Sequence, residues 1–171
     1  MATDTIETIL KRRSVRKYQP KPITDDHLHT ILEAGRQAPS AANRQPWHFV
    51  VVREAEERKK LAEACSGQTW LADAAVIIAG IGKPGVNEKW HPVDVAIAME
   101  NMILAATSLG YGTCWIGAFD QAQVKEALGV PEDMTVVALT PVGVPADSPN
   151  ARPRMPMSEF ASLGKYGKPM K

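Results

Sequence analysis

The chain has 171 residues, of which 44% are hydrophobic and 23% are charged. This size and composition indicate a single ordinary globular domain, and they exclude a disordered chain. The 20 Lys and Arg residues nearly balance the 19 Asp and Glu residues, for a formal net charge of +1. The chain therefore lacks the basic excess on which general nucleic-acid binding depends, although a local cationic pocket is compatible with this balance.

The cysteines and histidines give no sign of a metal site. Cys65 and Cys114 lie in apolar surroundings without metal-ligand spacing, and the 4 histidines form no cluster. Buried free thiols are typical of a reducing compartment. The first residues do not resemble a secretory signal, and no run is long and apolar enough to span a bilayer. We therefore expect a cytoplasmic protein that holds no metal and does not associate with a membrane.

Apolar spacing and capping signals predict the elements of the first part of the chain. Ile6, Ile9 and Leu10 have helical spacing, and Thr24 is a typical N-cap residue. The predicted elements are a helix over 4–10, an extended segment over 11–18, a helix from Thr24 that ends before Pro39, a loop over 40–46, a strand over 47–52 and a helix over 54–65.

The remainder of the chain continues the alternation of helices and strands. Its predicted elements are a buried strand over 74–80, a turn-rich loop over 82–87, a long helix over 93–109, a strand over 114–116, a helix from the cap Asp120 to Leu128, and a strand over 134–144 interrupted by Pro141. We predict an α+β fold in which helices cover both faces of a central mixed sheet. Residues 1–171 then form one domain, with 145–171 as an extended tail rich in Pro and basic residues.

The long predicted helix is apolar on nearly all sides. Over residues 93–106 only Asp94, Glu100 and Asn101 are polar, whereas a surface helix normally has one polar face. Because a small domain hides a whole helix with difficulty, we favour packing of this helix against its copy in a homodimer. The alternative is a central core helix within one subunit.

Two segments have the composition of a ligand site. Arg12, Ser14 and Arg16 point to the same side of an extended chain, and two guanidinium groups beside a hydroxyl suit a phosphate. In the loop 38–47, small residues allow a planar ligand to approach closely, and Ser40 and Asn43 supply polar groups. Taken separately, the basic triplet is better explained as a solvated stretch, and the loop as an ordinary surface loop.

Three linked motifs change that balance. Residues 9–18, 31–47 and 109–119 together resemble the nitroreductase family, in the order in which that family carries its motifs. The resemblance implies a homodimeric oxidoreductase that binds FMN, takes hydride from NADH or NADPH onto flavin N5, and reduces a nitroaromatic, a quinone or a similar small acceptor by a ping-pong scheme. Such a transient nicotinamide needs no Rossmann site, and we expect no G-x-G-x-x-G fingerprint after a predicted strand.

The resemblance also implies roles for individual residues. Contacts to the phosphate and the ribityl chain fall to Arg12, Arg13, Ser14 and Arg16. Contacts to the flavin of the other subunit fall to Pro39, Ser40, Ala41 and Asn43. The segment that passes beside the flavin ring comprises Trp115, Ile116, Gly117 and Ala118, with a backbone N–H near Gly117 or Ala118 facing N5. In the tail, Arg152 or Arg154 returns to the phosphate, and Gln68 reaches the pyrimidine edge.

Some features depart from the family pattern or leave the activity open. The insertion that covers the flavin in longer members is reduced here to residues around 82–91, and Gly117 stands where some members carry an acidic residue. No side chain is assigned as a proton donor, since His48 beside Trp47 is typical of a packed structural histidine. The alternatives are reductive dehalogenation, ene reduction or flavin-linked dehydrogenation at the same site, a flavin-storage or flavin-sensing protein, and a structural dimer without flavin.

Overall fold

The computed structural model describes residues 4–170. Its helices are α1 (Thr5–Lys11), α2 (Asp25–Arg36), α3 (Ala55–Ala64), α4 (His91–Ser108), α5 (Gln121–Leu128) and α6 (Met157–Phe160). Its strands are β1 (Trp47–Val52), β2 (Val76–Gly82), β3 (Gly112–Thr113) and β4 (Thr135–Gly143), which form one sheet in the order β1-β2-β4-β3. The predicted α+β fold class is confirmed.

Strand β2 divides the interior into two layers. All of its residues are buried, and successive side chains point to opposite faces of the sheet. Ile77 and Ile81 belong to a core cluster with side chains of α3 and α5, whereas Ile78 packs in a second cluster with Ile31 of α2 and Met102 of α4. Helices therefore cover both faces of the sheet, as the alternation of elements predicted.

The ladders among the four strands are antiparallel, and a bridge from Ser14 to Thr113 adds a parallel pairing at the β3 edge. The predicted interruption at Pro141 is wrong, because β4 runs unbroken through it. Leu139 donates its N–H to Ile116, and Pro141 has the same orientation two residues later. Its missing donor faces a gap, since β3 pairs only with Val142 and Gly143, and the ladder loses no hydrogen bond there.

Two helices begin at the predicted caps Thr24 and Asp120, and α1 begins after the cap Asp4, which the sequence analysis placed inside the helix. Asp4, Thr24 and Asp120 each accept a hydrogen bond from a backbone N–H of the first turn, which satisfies donors that a helix start leaves unpaired. Gly129 ends α5 in the left-handed conformation, with φ of 63°. Such caps are local in sequence, and for this reason the starts of α2 and α5 were predictable.

Helix α4 is buried on one side only. It begins at His91, two residues before the predicted start, because Pro92 is accommodated in the first turn. Its inner face is fully buried at Met99 and neighbouring residues, but Val93 and Ile97 on the opposite face are 46% and 38% exposed. A core helix within one subunit would account for the buried face at Met99. It would not account for the exposed apolar face at Val93 and Ile97.

Two further boundaries differ from the prediction. The short strand expected over 114–116 lies instead at Gly112–Thr113, and the segment pairs with β4 again at the Ile116–Leu139 bridge. The short run of apolar residues does not show which of them pair, because this depends on β4. The tail contains the short helix α6, which was not predicted, and it is exposed almost throughout.

The expectation that no G-x-G-x-x-G run follows a predicted strand is wrong, because residues 80–85 have this dinucleotide-fingerprint spacing. That fingerprint requires a strand, a tight turn and a helix in a parallel unit. Here Gly80 and Gly82 lie inside β2, which is antiparallel to both of its neighbours. The next helix begins only at His91. The run therefore belongs to the sheet and does not form a Rossmann site.

The described chain has neither a membrane-spanning helix nor a cluster of potential metal ligands. No helix within residues 4–170 has the length and apolar character needed to cross a membrane. In the same range no group of three or more His, Cys, Asp or Glu side chains is placed to hold a metal ion. Cys65 and Cys114 are buried free thiols.

Gly112 allows the segment after α1 to lie against the sheet. A Cβ added at Gly112 would lie 2.7 Å from Cβ of Val15, and a β-branched side chain cannot turn away easily. We expect Gly112→Ala to lower the free energy of unfolding by about 1–3 kcal/mol through overpacking. Urea denaturation measures this, with Gly85→Ala as the matched control, since a Cβ there meets no atom within 4 Å. Equal stability of the two variants would contradict the close packing.

Candidate functional site

A cavity of about 190 Å³ collects guanidinium groups from two distant parts of the chain. Its lining residues are Arg12, Arg13, Ser14, Arg16, Pro149, Asn150, Arg152 and Arg154. We call it the arginine pocket. No carboxylate is among these lining residues, and the concentration of positive charge favours an anion. Guanidinium groups hold phosphate through paired charge-assisted hydrogen bonds.

The first wall of the arginine pocket is the extended chain that follows α1. Arg13 donates from Nη1 to the carbonyls of Leu10 and Arg12, at 2.6 and 2.8 Å, and so closes the C-terminus of α1. The N–H of Val15 donates to the carbonyl of Thr113 at 2.9 Å. Val15 is thereby buried, while Ser14 on the other side of the extended chain lines the pocket. As the spacing of two residues predicted, Arg12, Ser14 and Arg16 all line the same cavity.

The second wall comes from the tail. Both Arg152 and Arg154 line the pocket, as do Pro149 and Asn150, although sequence analysis left open which of the two arginines would return. Pro149 and Asn150 were not predicted, since they carry no distinguishing signal in the sequence. The tail brings them there because Ala146 donates its N–H to the carbonyl of Lys17, at 2.9 Å.

The predicted ring-side segment directly follows β3. Ile116 is buried and exchanges two backbone hydrogen bonds with Leu139, at 2.9 and 3.0 Å. Trp115, Gly117 and Ala118 on either side of it are exposed. Gln68 approaches this segment, because its Nε2 donates to the carbonyl of Ala118 at 3.3 Å and to that of Cys65 at 2.9 Å. The structure therefore brings Gln68 to the ring-side segment.

Cys114 lies between the arginine pocket and the ring-side segment. Burial raises the pKa of its thiol, while the nearby Arg16 guanidinium and a hydrogen bond with Ser14 act in the opposite direction. The thiol is therefore neutral at physiological pH. Its surroundings show that the two predicted flavin contacts, although about 100 residues apart in sequence, are neighbours in space.

The loop over residues 40–45 has an unusual backbone. Ala42, Asn43 and Gln45 have φ values of 51°, 55° and 50°, a conformation that costs free energy for residues other than glycine. Ser40 helps to hold this shape, since its Oγ accepts a hydrogen bond from the N–H of Gln45 at 2.9 Å. Pro39, Ser40, Ala41 and Asn43 do not line the arginine pocket of their own chain.

Asp94 anchors this loop, a role that sequence analysis missed. Its side chain is only 3% exposed, and Oδ1 accepts a hydrogen bond from the N–H of Ala41 at 3.1 Å. Within the described residues 4–170, the buried Oδ2 has no hydrogen-bond partner. An acidic residue in the first turn of an apolar helix was visible in the sequence. It did not indicate which loop the carboxylate would meet.

The remaining aromatic and histidine candidates lie elsewhere. His48 is exposed and lines a separate cavity of about 280 Å³ with Lys83 and Leu128. Trp90 is exposed beside the Lys89 ammonium group. Trp70 is half-buried, and its indole lies under Arg16. Of the three, only Trp70 contacts a residue of the arginine pocket.

Comparisons with known proteins give a consistent likeness. A model described as the nitroreductase family matches residues 9–75 and 65–144. The chain is 35% identical over 179 residues to the NADPH-flavin oxidoreductase of Vibrio harveyi, which spans 95% of this chain and 75% of that protein.

Solved structures agree with the sequence comparison. A nitroreductase family protein from Clostridium novyi NT has a TM-score of 0.81 at 34% identity, covering 98% of this chain and 97% of that one. The NADPH:FMN oxidoreductase from Vibrio harveyi complexed with NAD+ has a TM-score of 0.88 at 33% identity, with coverages of 96% and 78%. The likeness therefore extends from the motifs to the whole fold.

The anchoring of the loop by Asp94 is directly measurable. Asp94→Ala removes the acceptor for the Ala41 N–H, and we expect hydrogen exchange at that amide to become at least about tenfold faster, as the loss of a hydrogen bond to a charged group implies. Asp94→Asn keeps an acceptor oxygen and is expected to retain much of the protection. Asn101→Ala, which removes the bond from Asn101 Nδ2 to the Ala34 carbonyl, is the control on the same helix. Unchanged exchange in Asp94→Ala would show that local bonds alone hold the loop.

Proposed function

This chain belongs to the nitroreductase family, and we propose that it reduces nitroaromatics, quinones or similar small acceptors with electrons taken from NADH or NADPH through FMN. The observation that carries the proposal is the arginine pocket beside an exposed ring-side backbone segment. The protein is an FMN-dependent NAD(P)H oxidoreductase, in agreement with relatives named NADPH-flavin oxidoreductase and FMN reductase.

The arginine pocket fits the phosphate of FMN. Five guanidinium groups and the Ser14 hydroxyl face one cavity without a competing carboxylate, which is the donor set that a dianionic phosphate ester requires. We assign Arg12, Arg13, Ser14, Arg16, Arg152 and Arg154 to the phosphate and ribityl end. Riboflavin, which lacks the phosphate, would leave this charge without a partner.

The ring-side segment supplies backbone groups to the other end of the cofactor. Within the described residues, the N–H groups of Gly117 and Ala118 donate to no protein acceptor, and both residues are exposed. We assign Trp115, Ile116, Gly117 and Ala118 to the ring edge that includes N5, and Gln68 to the pyrimidine edge. Fixed backbone donors aimed at a site of developing charge stabilise it without reorganisation.

FMN, when bound, would supply the redox chemistry that links the nicotinamide to the acceptor. The protein orients the partners and stabilises negative charge on the ring through nearby donors and cations. Donor and acceptor use the same exposed face in turn, in a ping-pong scheme. This is supported by the antiparallel setting of the glycine run 80–85, which provides no resident dinucleotide site. Protons come from solvent, and no side chain is assigned as an acid.

A homodimer completes the site in this proposal. Apolar side chains are exposed on α1 at Ile6, Ile9 and Leu10, on α4 at Val93 and Ile97, and on the tail at Met155, Met157, Phe160 and Leu163. A surface of this kind on a small chain is typical of an oligomer interface. We propose that pairing through α4 carries the loop with Pro39, Ser40, Ala41 and Asn43 to the flavin of the other subunit.

The compartment and the domain organisation complete the proposal. The buried free thiols Cys65 and Cys114 suit the reducing cytoplasm. Residues 1–171 act as one FMN-binding domain, and the tail 145–171 contributes Arg152 and Arg154 to the arginine pocket.

The visible spectrum tests cofactor and donor together. Protein purified with FMN is expected to show flavin bands that bleach when NADH or NADPH is added without oxygen, and to regain them when a quinone or nitroaromatic follows.

Arg12→Ala is expected to raise the Kd for FMN by at least about tenfold and to change that for riboflavin much less, since it removes a charge-assisted bond to the phosphate. Lys60→Ala, which removes an exposed charge on α3, is the control. A protein that takes up no FMN, or whose bands persist with both donors, would contradict the proposal.

Subunit mixing tests whether the site is shared. Asn43→Ala and Arg12→Ala homodimers each have two impaired sites. If the loop acts across the interface, random reassortment of an equal mixture restores about one quarter of the wild-type sites, because half of the dimers are mixed and each has one intact site. Titration with FMN counts these sites. If both residues serve the flavin of their own subunit, mixing restores none, as in a control mixture of the Asn43→Ala/Arg12→Ala double variant with itself.

A further inference from the structure

Arg16 is held by an unusual partner. Its Cζ lies 5.9 Å from the ring centroid of Trp70, within the range of a cation–π interaction. Among the described residues 4–170, its side chain forms no ion pair and no hydrogen bond. The guanidinium of Arg16 therefore packs on the indole of Trp70. This contact occupies none of the five N–H donors of Arg16.

Trp70 is itself fixed in place. It belongs to the 3-10 turn Thr69–Asp73, and the next residue, Leu71, is fully buried. The indole packs against the buried cluster of Val15, Tyr18 and Ala74. Since Val15 is bonded to β3 through Thr113, the indole and the backbone that carries Arg16 rest on the same part of the core. Such a ring is a rigid platform for a flexible side chain.

An aromatic platform solves a problem that a carboxylate would create. Long side chains such as Arg lose conformational entropy when they are ordered at a binding site, and an ion pair is the usual way to order one. A carboxylate beside Arg16 would occupy its donors and cancel its charge, which would weaken the attraction of the arginine pocket for an anion. A ring face orders the guanidinium and leaves its charge and its donors available.

We infer that Trp70 is a positioning residue that holds the Arg16 guanidinium ready for the flavin. The inference rests on the proposed function, in which Arg16 contacts FMN. The same turn begins next to Gln68, whose amide binds the Ala118 carbonyl. One short segment thus supports both a cationic group of the arginine pocket and the ring-side segment.

A double-mutant cycle on FMN binding tests the inference. Trp70→Leu keeps an apolar side chain without a ring, and we expect it to raise the Kd for FMN about three- to fivefold, the magnitude of an exposed cation–π pair. Trp70→Phe restores a ring and is expected to recover most of the affinity. In an Arg16→Gln background, Trp70→Leu is expected to have no further effect. An equal loss in both backgrounds, or a Phe variant as weak as the Leu variant, would overturn the inference.

A second measurement needs no flavin and no intact Trp70→Leu fold. In the wild-type protein without FMN, the ring current of Trp70 is expected to shift the Arg16 side-chain NMR resonances upfield, and Trp70→Phe is expected to retain part of that shift. Resonances at ordinary arginine positions in the wild type would overturn the inference. Failure of the wild type to bind FMN while the shift is present would instead overturn the proposed function.

Discussion

The site depends on the pairing of residues 12–16 with β3. The hydrogen bond from the Val15 N–H to the Thr113 carbonyl and the bridge from Ser14 to Thr113 fix this extended chain at the edge of the sheet. Gly112 permits the contact, because any side chain there would collide with Val15. Because of this pairing, Arg12, Ser14 and Arg16 lie on one side of the extended chain. The segment that continues from β3 passes beside them. Both ends of the proposed flavin site are therefore set by a single short stretch of β-structure.

The arginine pocket shows how a small protein concentrates charge without neutralising it. Arg13 is held by two backbone carbonyls and Arg16 by an indole ring, and neither partner carries a negative charge. Arg12 acts on Glu100 of α4, where it opposes the rise in pKa that partial burial gives this carboxyl. Repulsion among these five cations costs stability, and an anion bound in the arginine pocket would relieve it. Binding of an anion would therefore stabilise the arginine pocket.

Helix α4 has an apolar face that this subunit does not cover. Helix α4 uses one face for the core and leaves Val93 and Ile97 exposed, next to the anchored loop at Ala41. A chain of this length buries too little surface to cover a helix on all sides. The strained loop is held by Asp94, whose second carboxylate oxygen has no partner among the described residues. The strained loop and the unpaired oxygen lie together at the start of α4, where the proposed second subunit would pack.

The sequence alone determined what depends on near neighbours in the chain. Helix caps at Thr24 and Asp120, the strand Trp47–Val52 and the same-side spacing of Arg12, Ser14 and Arg16 follow from local patterns, and the linked motifs identified the family. Only the tertiary structure decided what depends on distant partners. It set the position of β3, the passage of β4 through Pro141, the return of both tail arginines, the anchoring of the loop by Asp94 and the placement of Trp70 under Arg16. Spacing along the chain fixes which side chains share a face, whereas contacts between remote segments depend on how the whole core packs.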